Sequence, residues 1–169
     1  MRTPSTRTVW LGIGLVAAGL ATASLVLTPW LDLHPCHLCI FQRLLFMLLA
    51  AAALTAAAGH CERAAGGLVG LLAAAGIVTA GYQSWLQLQE AGSVSCVGGD
   101  PDLVERVVEA LGQVSPTLFL ATGFCADEEL VILGLSLANW AFLAFLACLA
   151  AAAWALAAPR TSSTTGAHP

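Results

Sequence analysis

Four long stretches without a charged side chain dominate this sequence of 169 residues. They lie between Arg7 and Asp32, between Arg43 and Glu62, between Arg63 and Glu90, and between Glu129 and Arg160. A helix needs about 20 mostly apolar residues to cross the hydrocarbon core of a bilayer. With 59% hydrophobic and 9% charged residues, the chain could not cover a water-facing surface. The sequence therefore predicts an all-α membrane protein built as a bundle of four transmembrane helices.

We expect a single transmembrane domain over residues 1–159, followed by a disordered polar tail at 160–169. The helices are expected at about 9–28, 41–59, 66–87 and 132–157, with outer loops at about 29–40 and 88–131. The first stretch follows Arg2 and Arg7, as in a signal peptide. It is longer than the roughly 7–15 apolar residues of a signal, so we interpret it as a retained anchor.

The charges predict the orientation, because Arg collects in short cytoplasmic loops while acidic residues contribute little to this rule. Arg2, Arg7, Arg63 and Arg160 fall on one side of the predicted bundle, which is therefore expected to be cytoplasmic and to hold both termini. The opposite side holds most of the acidic residues: Asp32, Glu90, Asp100, Asp102, Glu105, Glu109, Asp127, Glu128 and Glu129. The six Arg are scattered and the net charge is −4, which argues against nucleic acid as a partner.

Four of the six cysteines fall in the two predicted outer loops. Cys36 and Cys39 lie in the first loop, and Cys96 and Cys125 lie in the second, on the side expected to be oxidising. The other two are Cys61, in the inner loop, and Cys148, within the fourth helix; we interpret both as structural.

The C-x-x-C from Cys36 to Cys39 lies where the second helix is expected to begin. A helix N-terminus carries unsatisfied N–H groups and a partial positive charge, which favour a thiolate. A thiol that is more often ionised reacts and leaves more readily in disulfide exchange. Cys39, nearer the helix, is therefore the better candidate for the reactive thiolate.

Arg43 follows Cys39 by four residues and so shares its helix face. Its guanidinium could approach Cys39 or an acceptor bound beside it. Alternatively, Arg43 could extend to the outer headgroups, as Arg near helix ends commonly does.

Three other uses of the C-x-x-C have to be considered. A haem-attachment site needs His directly after the second Cys, and Ile40 occupies that position. A zinc site could combine Cys36 and Cys39 with His34 or His37 and a Cys of the other loop. Two structural disulfides among the four outer Cys are also possible, with three pairings open.

The second outer loop is too long for a plain connection. Residues 102–111 place Leu103, Val104, Val107, Val108 and Leu111 on one helical face, which predicts a short helix on the membrane surface. Gly98 and Gly99 follow Cys96, and Gly123 precedes Cys125, so both cysteines are expected to be mobile enough to exchange partners.

These motifs resemble the disulfide bond formation protein DsbB family of bacterial inner-membrane quinone reductases. The stretch C-H-L-C-I-F-Q-R from Cys36 to Arg43 is similar to the family's C-x-x-C-x-x-x-R signature. Residues 121–126, residues 133–135 and Trp140 are similar to its later segment. The resemblance covers nearly the whole chain.

The resemblance implies a relay of electrons in a protein-dithiol:quinone oxidoreductase of the bacterial inner membrane. Cys96 would form the mixed disulfide with a soluble periplasmic thioredoxin-like oxidase of the DsbA type, and Cys125 would be its partner in the loop disulfide. Cys36 would pass electrons inward to Cys39. Cys39 would then interact with ubiquinone or menaquinone, with Arg43 polarising the quinone and stabilising the thiolate.

The chain departs from the family at Tyr82 and Gln83, where some members carry Arg and His. Gln83 can donate a hydrogen bond to a quinone oxygen but cannot titrate as His does, so we retain it only as a weak quinone contact. The alternatives from other classes are a Cys/His metal-binding membrane protein and a thiol reductase or conduit resembling vitamin K epoxide reductase. The second alternative would carry its C-x-x-C near the last helix.

Overall fold

Four long helices cross the whole length of the molecule in a computed structural model that describes residues 5–59, 61–89, 103–123 and 130–158. They are α1 (Thr6–Trp30), α2 (His37–Ala57), α3 (Glu62–Gln87) and α6 (Leu137–Ala157). All four are long and apolar enough to span a membrane. The predicted fold class, an all-α membrane bundle with four transmembrane helices, is confirmed.

The four helices close into a ring, in which α1 packs on α2, α2 on α3, α3 on α6, and α6 on α1. The bundle interior consists mainly of alanine, with a few large side chains that are fully buried: Trp10, Leu49, Val69 and Phe145. Small residues at the contacts let membrane helices approach closely, because lipid provides no hydrophobic force to drive them together. The Phe46 and Phe145 rings stack across the bundle with centroids 4.0 Å apart.

The helices approach each other most closely at Gly76, where an added Cβ would overlap the ring of Phe145. We therefore expect Gly76→Ala to destabilise the bundle by about 1–3 kcal/mol through overpacking. Gly67→Ala is the matched control on the same helix, because its added methyl would meet nothing within 4 Å. The measurement is the midpoint of thermal unfolding in detergent. Equal midpoints for the two variants would contradict close packing at Gly76.

Three predicted helix starts are wrong by four or five residues. The third helix begins at Glu62 rather than at 66. The second helix begins at His37 rather than at 41, because the Cys36 sulfur accepts a hydrogen bond from the backbone N–H of Cys39 and caps the helix. The fourth transmembrane helix begins at Leu137 rather than at 132. A short antiparallel hairpin occupies the preceding residues, with β1 at Val131–Ile132 and β2 at Leu135–Ser136.

The hairpin turns at Leu133 and Gly134, which both have positive φ values, 54° and 80°. This backbone conformation is incompatible with a continuing helix. The Ser136 hydroxyl then accepts from the backbone N–H of Asn139, as an N-cap does. The Trp140 indole N–H donates to the carbonyl of Ile132 at 3.0 Å and ties the hairpin to α6.

The helix α4 (Leu103–Val114) lies where the sequence predicts a helix over 102–111, and a short second helix, α5 (Pro116–Phe119), follows it. Val108 is buried in a small cluster with Ile40 of α2 and Phe119 of α5. The two helices therefore pack on the first turns of α2. Their position at a membrane surface stays a prediction, and the predicted disordered tail at 160–169 lies outside the described residues.

Candidate active site

The C-x-x-C forms the N-terminal end of α2. Cys36 is the N-cap residue and Cys39 lies in the first turn, so the two side chains are held on one side of the helix start. Their Sγ atoms are 2.9 Å apart, compared with about 2.05 Å for a covalent S–S bond. Cys36 is only 2% exposed, whereas Cys39 is half-buried. The pair is close enough to form a disulfide with little movement, and Cys39 is the more accessible thiol.

A buried glutamine contacts both sulfurs. The Gln83 amide N–H donates to the Cys39 sulfur at 3.0 Å and to the Cys36 sulfur at 3.5 Å. The Gln83 carbonyl oxygen in turn accepts a hydrogen bond of 2.7 Å from the Gln42 amide. Both glutamines are at most 5% exposed. The structure thus connects α2 and α3 at the C-x-x-C through a chain of hydrogen bonds.

Arg43 is buried one turn inside α2, where its guanidinium is fixed by the first helix and by α5. Its Nε donates to the Ser24 hydroxyl at 3.0 Å, and one Nη donates to the Thr28 hydroxyl at 2.8 Å and to the Ser24 carbonyl at 3.4 Å. The other Nη donates to the Leu118 carbonyl at 2.9 Å. The side chain therefore does not extend to the headgroups, because these contacts hold it within the protein.

Among the residues that the structure describes, the acceptors that hold Arg43 are all neutral oxygens. A buried cation is costly in a membrane bundle unless a negative charge lies near it. Arg43 lies close enough to Cys39 for the two side chains to interact electrostatically. Ionisation of the Cys39 thiol would therefore provide the negative charge that this guanidinium lacks among its hydrogen-bond partners.

The segment after α5 is attached to the short loop that precedes the C-x-x-C. The backbone N–H groups of Thr122 and Gly123 both donate to the carbonyl of Pro35, at 2.9 and 3.2 Å. A Cβ added at Gly123 would overlap the carbonyl oxygen of His34. Gly123 is two residues before Cys125 in the sequence, and Pro35 is directly before Cys36. The two cysteine-bearing loops are therefore joined by backbone hydrogen bonds.

We expect Gly123→Ala to detach this segment from Pro35, because the added methyl cannot fit against the His34 carbonyl. Loss of two backbone hydrogen bonds and the steric overlap should lower stability by about 1–3 kcal/mol. Proteolysis of the 115–123 segment should accelerate in the variant, as measured by limited digestion in detergent. Gly19→Ala is the control, since its methyl would meet nothing within 4 Å. Equal digestion rates would contradict the close approach.

The remaining predicted residues lie elsewhere. Cys61 is exposed at the start of α3, and Cys148 of α6 is buried in the main core of the bundle. Cys96 and Cys125 lie outside the described residues. Within the described ranges, no three His, Cys, Asp or Glu side chains are grouped closely enough to hold a metal ion.

The model of the family described as "Disulfide bond formation protein DsbB" matches residues 6–155, which is most of the chain. This chain belongs to the DsbB family. The predicted resemblance is thereby confirmed, and the protein is a multi-pass membrane member of a family of disulfide bond formation proteins.

Curated relatives in the DsbB family cover most of this chain. Disulfide bond formation protein B of Dechloromonas aromatica is 40% identical over 142 residues, which are 82% of this chain and 84% of the relative. The protein of the same name from an Azoarcus strain is 35% identical over 156 residues, 89% of this chain and 92% of the relative. That of Aromatoleum aromaticum is 36% identical over 144 residues, 82% and 85% of the two chains.

Gln42, like Ser24 and Thr28, is a residue of this DsbB-family site whose contacts the sequence alone did not predict. A polar amide next to Arg43, near the start of an otherwise apolar helix, is a signal in its own right. A buried amide in a membrane helix needs a hydrogen-bond partner on a neighbouring helix. Only the structure identifies that partner as Gln83.

Proposed function

We propose that this DsbB-family protein is a thiol:quinone oxidoreductase that reoxidises a soluble thioredoxin-like partner of the DsbA type. The electrons pass through the cysteines to ubiquinone or menaquinone in the membrane. The observation that carries the proposal is the contact between the Cys36 and Cys39 sulfurs at the start of a membrane-spanning helix, with the buried Arg43 one turn further in.

The redox step at the C-x-x-C converts two thiols into one disulfide. Cys36 and Cys39 each lose a proton and together lose two electrons as the S–S bond forms. A bound quinone would supply the oxidant, taking up the two electrons and two protons to become the quinol. The 2.9 Å separation of the sulfurs supports this step, because bond formation needs a movement of less than about 1 Å.

The residues at the helix start suit a quinone in two respects. Cys39 is half-buried, whereas Cys36 is buried, and both lie at one end of an otherwise apolar bundle. The hydrogen bonds of Arg43 to the described residues use at most four of its five N–H groups, and a further N–H could donate to a quinone oxygen. Cys39 and Arg43 would therefore hold the quinone, and a contact with Gln83 stays a prediction.

The remaining exchange steps rest on family resemblance. The partner dithiol would reduce a Cys96–Cys125 disulfide through a mixed disulfide at Cys96, and the resulting loop dithiol would reduce the Cys36–Cys39 disulfide. Each exchange breaks one S–S bond and forms another, so electrons and protons balance. The hydrogen bond between Gly123 and Pro35 supports the exchange between the loop dithiol and the Cys36–Cys39 disulfide. It connects the segment just before Cys125 with the loop just before Cys36.

The proposed relay fixes the orientation of the protein in a bacterial inner membrane. The C-x-x-C end of the bundle would face the periplasm, where the soluble partner is found, and both termini would face the cytoplasm. The charge distribution supports this orientation, since Arg7 and Arg63 lie at the end of the bundle opposite the C-x-x-C.

The test uses the detergent-purified full chain, a reduced DsbA-type protein and a water-soluble ubiquinone or menaquinone analogue. We expect quinol to form only when the chain and the dithiol partner are both present, with one partner disulfide formed per quinol. Mass-spectrometric mapping of the resting protein should find the pairs 36–39 and 96–125. Absence of quinol with both quinone classes, together with four free or metal-bound thiols, would refute the proposal.

A further inference from the structure

Gln42 and Gln83 form a buried pair that ends on the two sulfurs. The Gln42 amide N–H donates to the Gln83 carbonyl oxygen at 2.7 Å. That bond leaves the Gln83 amide N–H groups facing Cys39 at 3.0 Å and Cys36 at 3.5 Å. The shorter contact is to Cys39, the more accessible of the two thiols.

Two amides buried at this depth need a physical reason, because two apolar side chains of similar size would pack against lipid-like surroundings without any desolvation cost. In the described part of the chain, every buried side-chain nitrogen and oxygen has a hydrogen-bond partner. The acceptors of the buried Gln83 amide nitrogen are the sulfurs of Cys39 and Cys36. A thiolate is a much stronger acceptor than a thiol, since hydrogen bonds to ionised groups are about twice as strong.

We propose that Gln83 stabilises the Cys39 thiolate by donating an N–H to its sulfur, and that Gln42 is a positioning residue that fixes the direction of the Gln83 amide. The inference rests on the proposed function, in which Cys39 reacts as the thiolate. When Cys39 loses its proton to water, its negatively charged sulfur becomes a stronger hydrogen-bond acceptor for the Gln83 amide N–H. Without the bond from Gln42, the Gln83 amide can rotate and present its carbonyl oxygen, which repels a thiolate.

Arg43 and Gln83 then act on Cys39 from different directions and by different means. Arg43 supplies a positive charge and is fixed by α1 and α5. Gln83 supplies a neutral donor from α3, and an amide has no proton to lose over the physiological pH range. The effect of Gln83 should therefore be separable from that of Arg43 by substitution.

The test measures alkylation of Cys39 by iodoacetamide in the full-length protein, with peptide mass spectrometry to identify the site. All variants carry Cys36→Ser, so that Cys39 cannot pair with its neighbour, and Ser is itself a favoured N-cap residue. The rate at pH 7 is divided by the rate at pH 10, which lies above the ordinary pKa of a thiol, about 8.5. This ratio cancels changes in access to the sulfur and leaves the change in thiolate fraction.

We expect Gln83→Met to lower the ratio about tenfold and Gln42→Met to lower it about threefold. In the Gln83→Met background, Gln42→Met should have no further effect, because its action passes through the Gln83 amide. Gln87→Met is the matched control. Gln87 lies one turn after Gln83 on α3, and its side-chain amide oxygen accepts a hydrogen bond from the Ser136 hydroxyl at 2.8 Å. The control should leave the ratio unchanged.

A Gln83→Met ratio equal to that of Gln87→Met would overturn the thiolate role of Gln83. An undiminished effect of Gln42→Met in the double variant would overturn the positioning role of Gln42. Neither outcome depends on the proposed quinone chemistry, because alkylation needs no quinone and no partner protein. Conversely, a failed quinone assay with the expected alkylation ratios would refute the proposed function and leave the hydrogen-bond chain intact.

Discussion

Replacement of either Cys36 or Cys39 by serine is expected to reduce steady-state quinone reduction to less than about a thousandth of the wild-type rate. A hydroxyl cannot form the S–S bond that stores the two electrons between exchange and quinone reduction. The fold should persist, since Cys36 caps α2 as an N-cap acceptor and Ser provides the same acceptor. The measurement is quinol formation with the reduced DsbA-type partner.

The same variants should still oxidise one equivalent of the partner in a single burst without quinol formation. This follows because the loop cysteines Cys96 and Cys125 remain able to accept the first two electrons. Cys61→Ser is the control, as Cys61 is exposed at the opposite end of the bundle, and its turnover should match the wild type. Full turnover in either C-x-x-C variant would exclude this pair from the electron path.

The four transmembrane helices could be predicted because charge is so costly inside a bilayer that its absence over about 20 residues is informative on its own. The residues at which the helices begin could not be predicted as closely. Cysteine is not among the residues that usually cap helices, so the start of α2 at His37 was placed four residues too late. Gly134 and Ser136 did carry the hairpin and cap signals at α6, but the uncharged run extended past them.

The cysteine pair of the candidate site could be predicted because local spacing alone places Cys36 and Cys39 together. The side chains that contact this pair could not be predicted, because their positions depend on the rotation of one helix against another and on its shift along the helix axis. Gln83 lies 41 residues from Gln42, and the contact between them exists only in the packed bundle. Likewise, neither interpretation of Arg43 foresaw that Ser24, Thr28 and the Leu118 carbonyl fix its guanidinium.

Arg43→Lys is expected to lower kcat/KM for the quinone by about 10- to 100-fold while leaving the KM for the DsbA-type partner near the wild-type value. Lysine keeps the charge, but its single nitrogen cannot contact Ser24, Thr28 and Leu118 together. The charge would then be free to move away from Cys39 and from the quinone oxygen. Arg43→Met, which also removes the charge, should show a larger loss.

Stability should fall by about 2–4 kcal/mol in Arg43→Lys, because several hydrogen bonds of a charged donor are lost in a buried setting. Ser24→Ala separates the two effects, since it removes one acceptor of Arg43 on α1 without touching the C-x-x-C. Arg63→Lys, an exposed Arg of α3, is the control for the substitution itself. If Arg43→Lys lost stability but kept its quinone kcat/KM, Arg43 would serve only to tie α1, α2 and α5 together. A loss of kcat/KM larger than that of an equally destabilised Ser24→Ala variant would instead require the guanidinium to act on Cys39 or on the quinone.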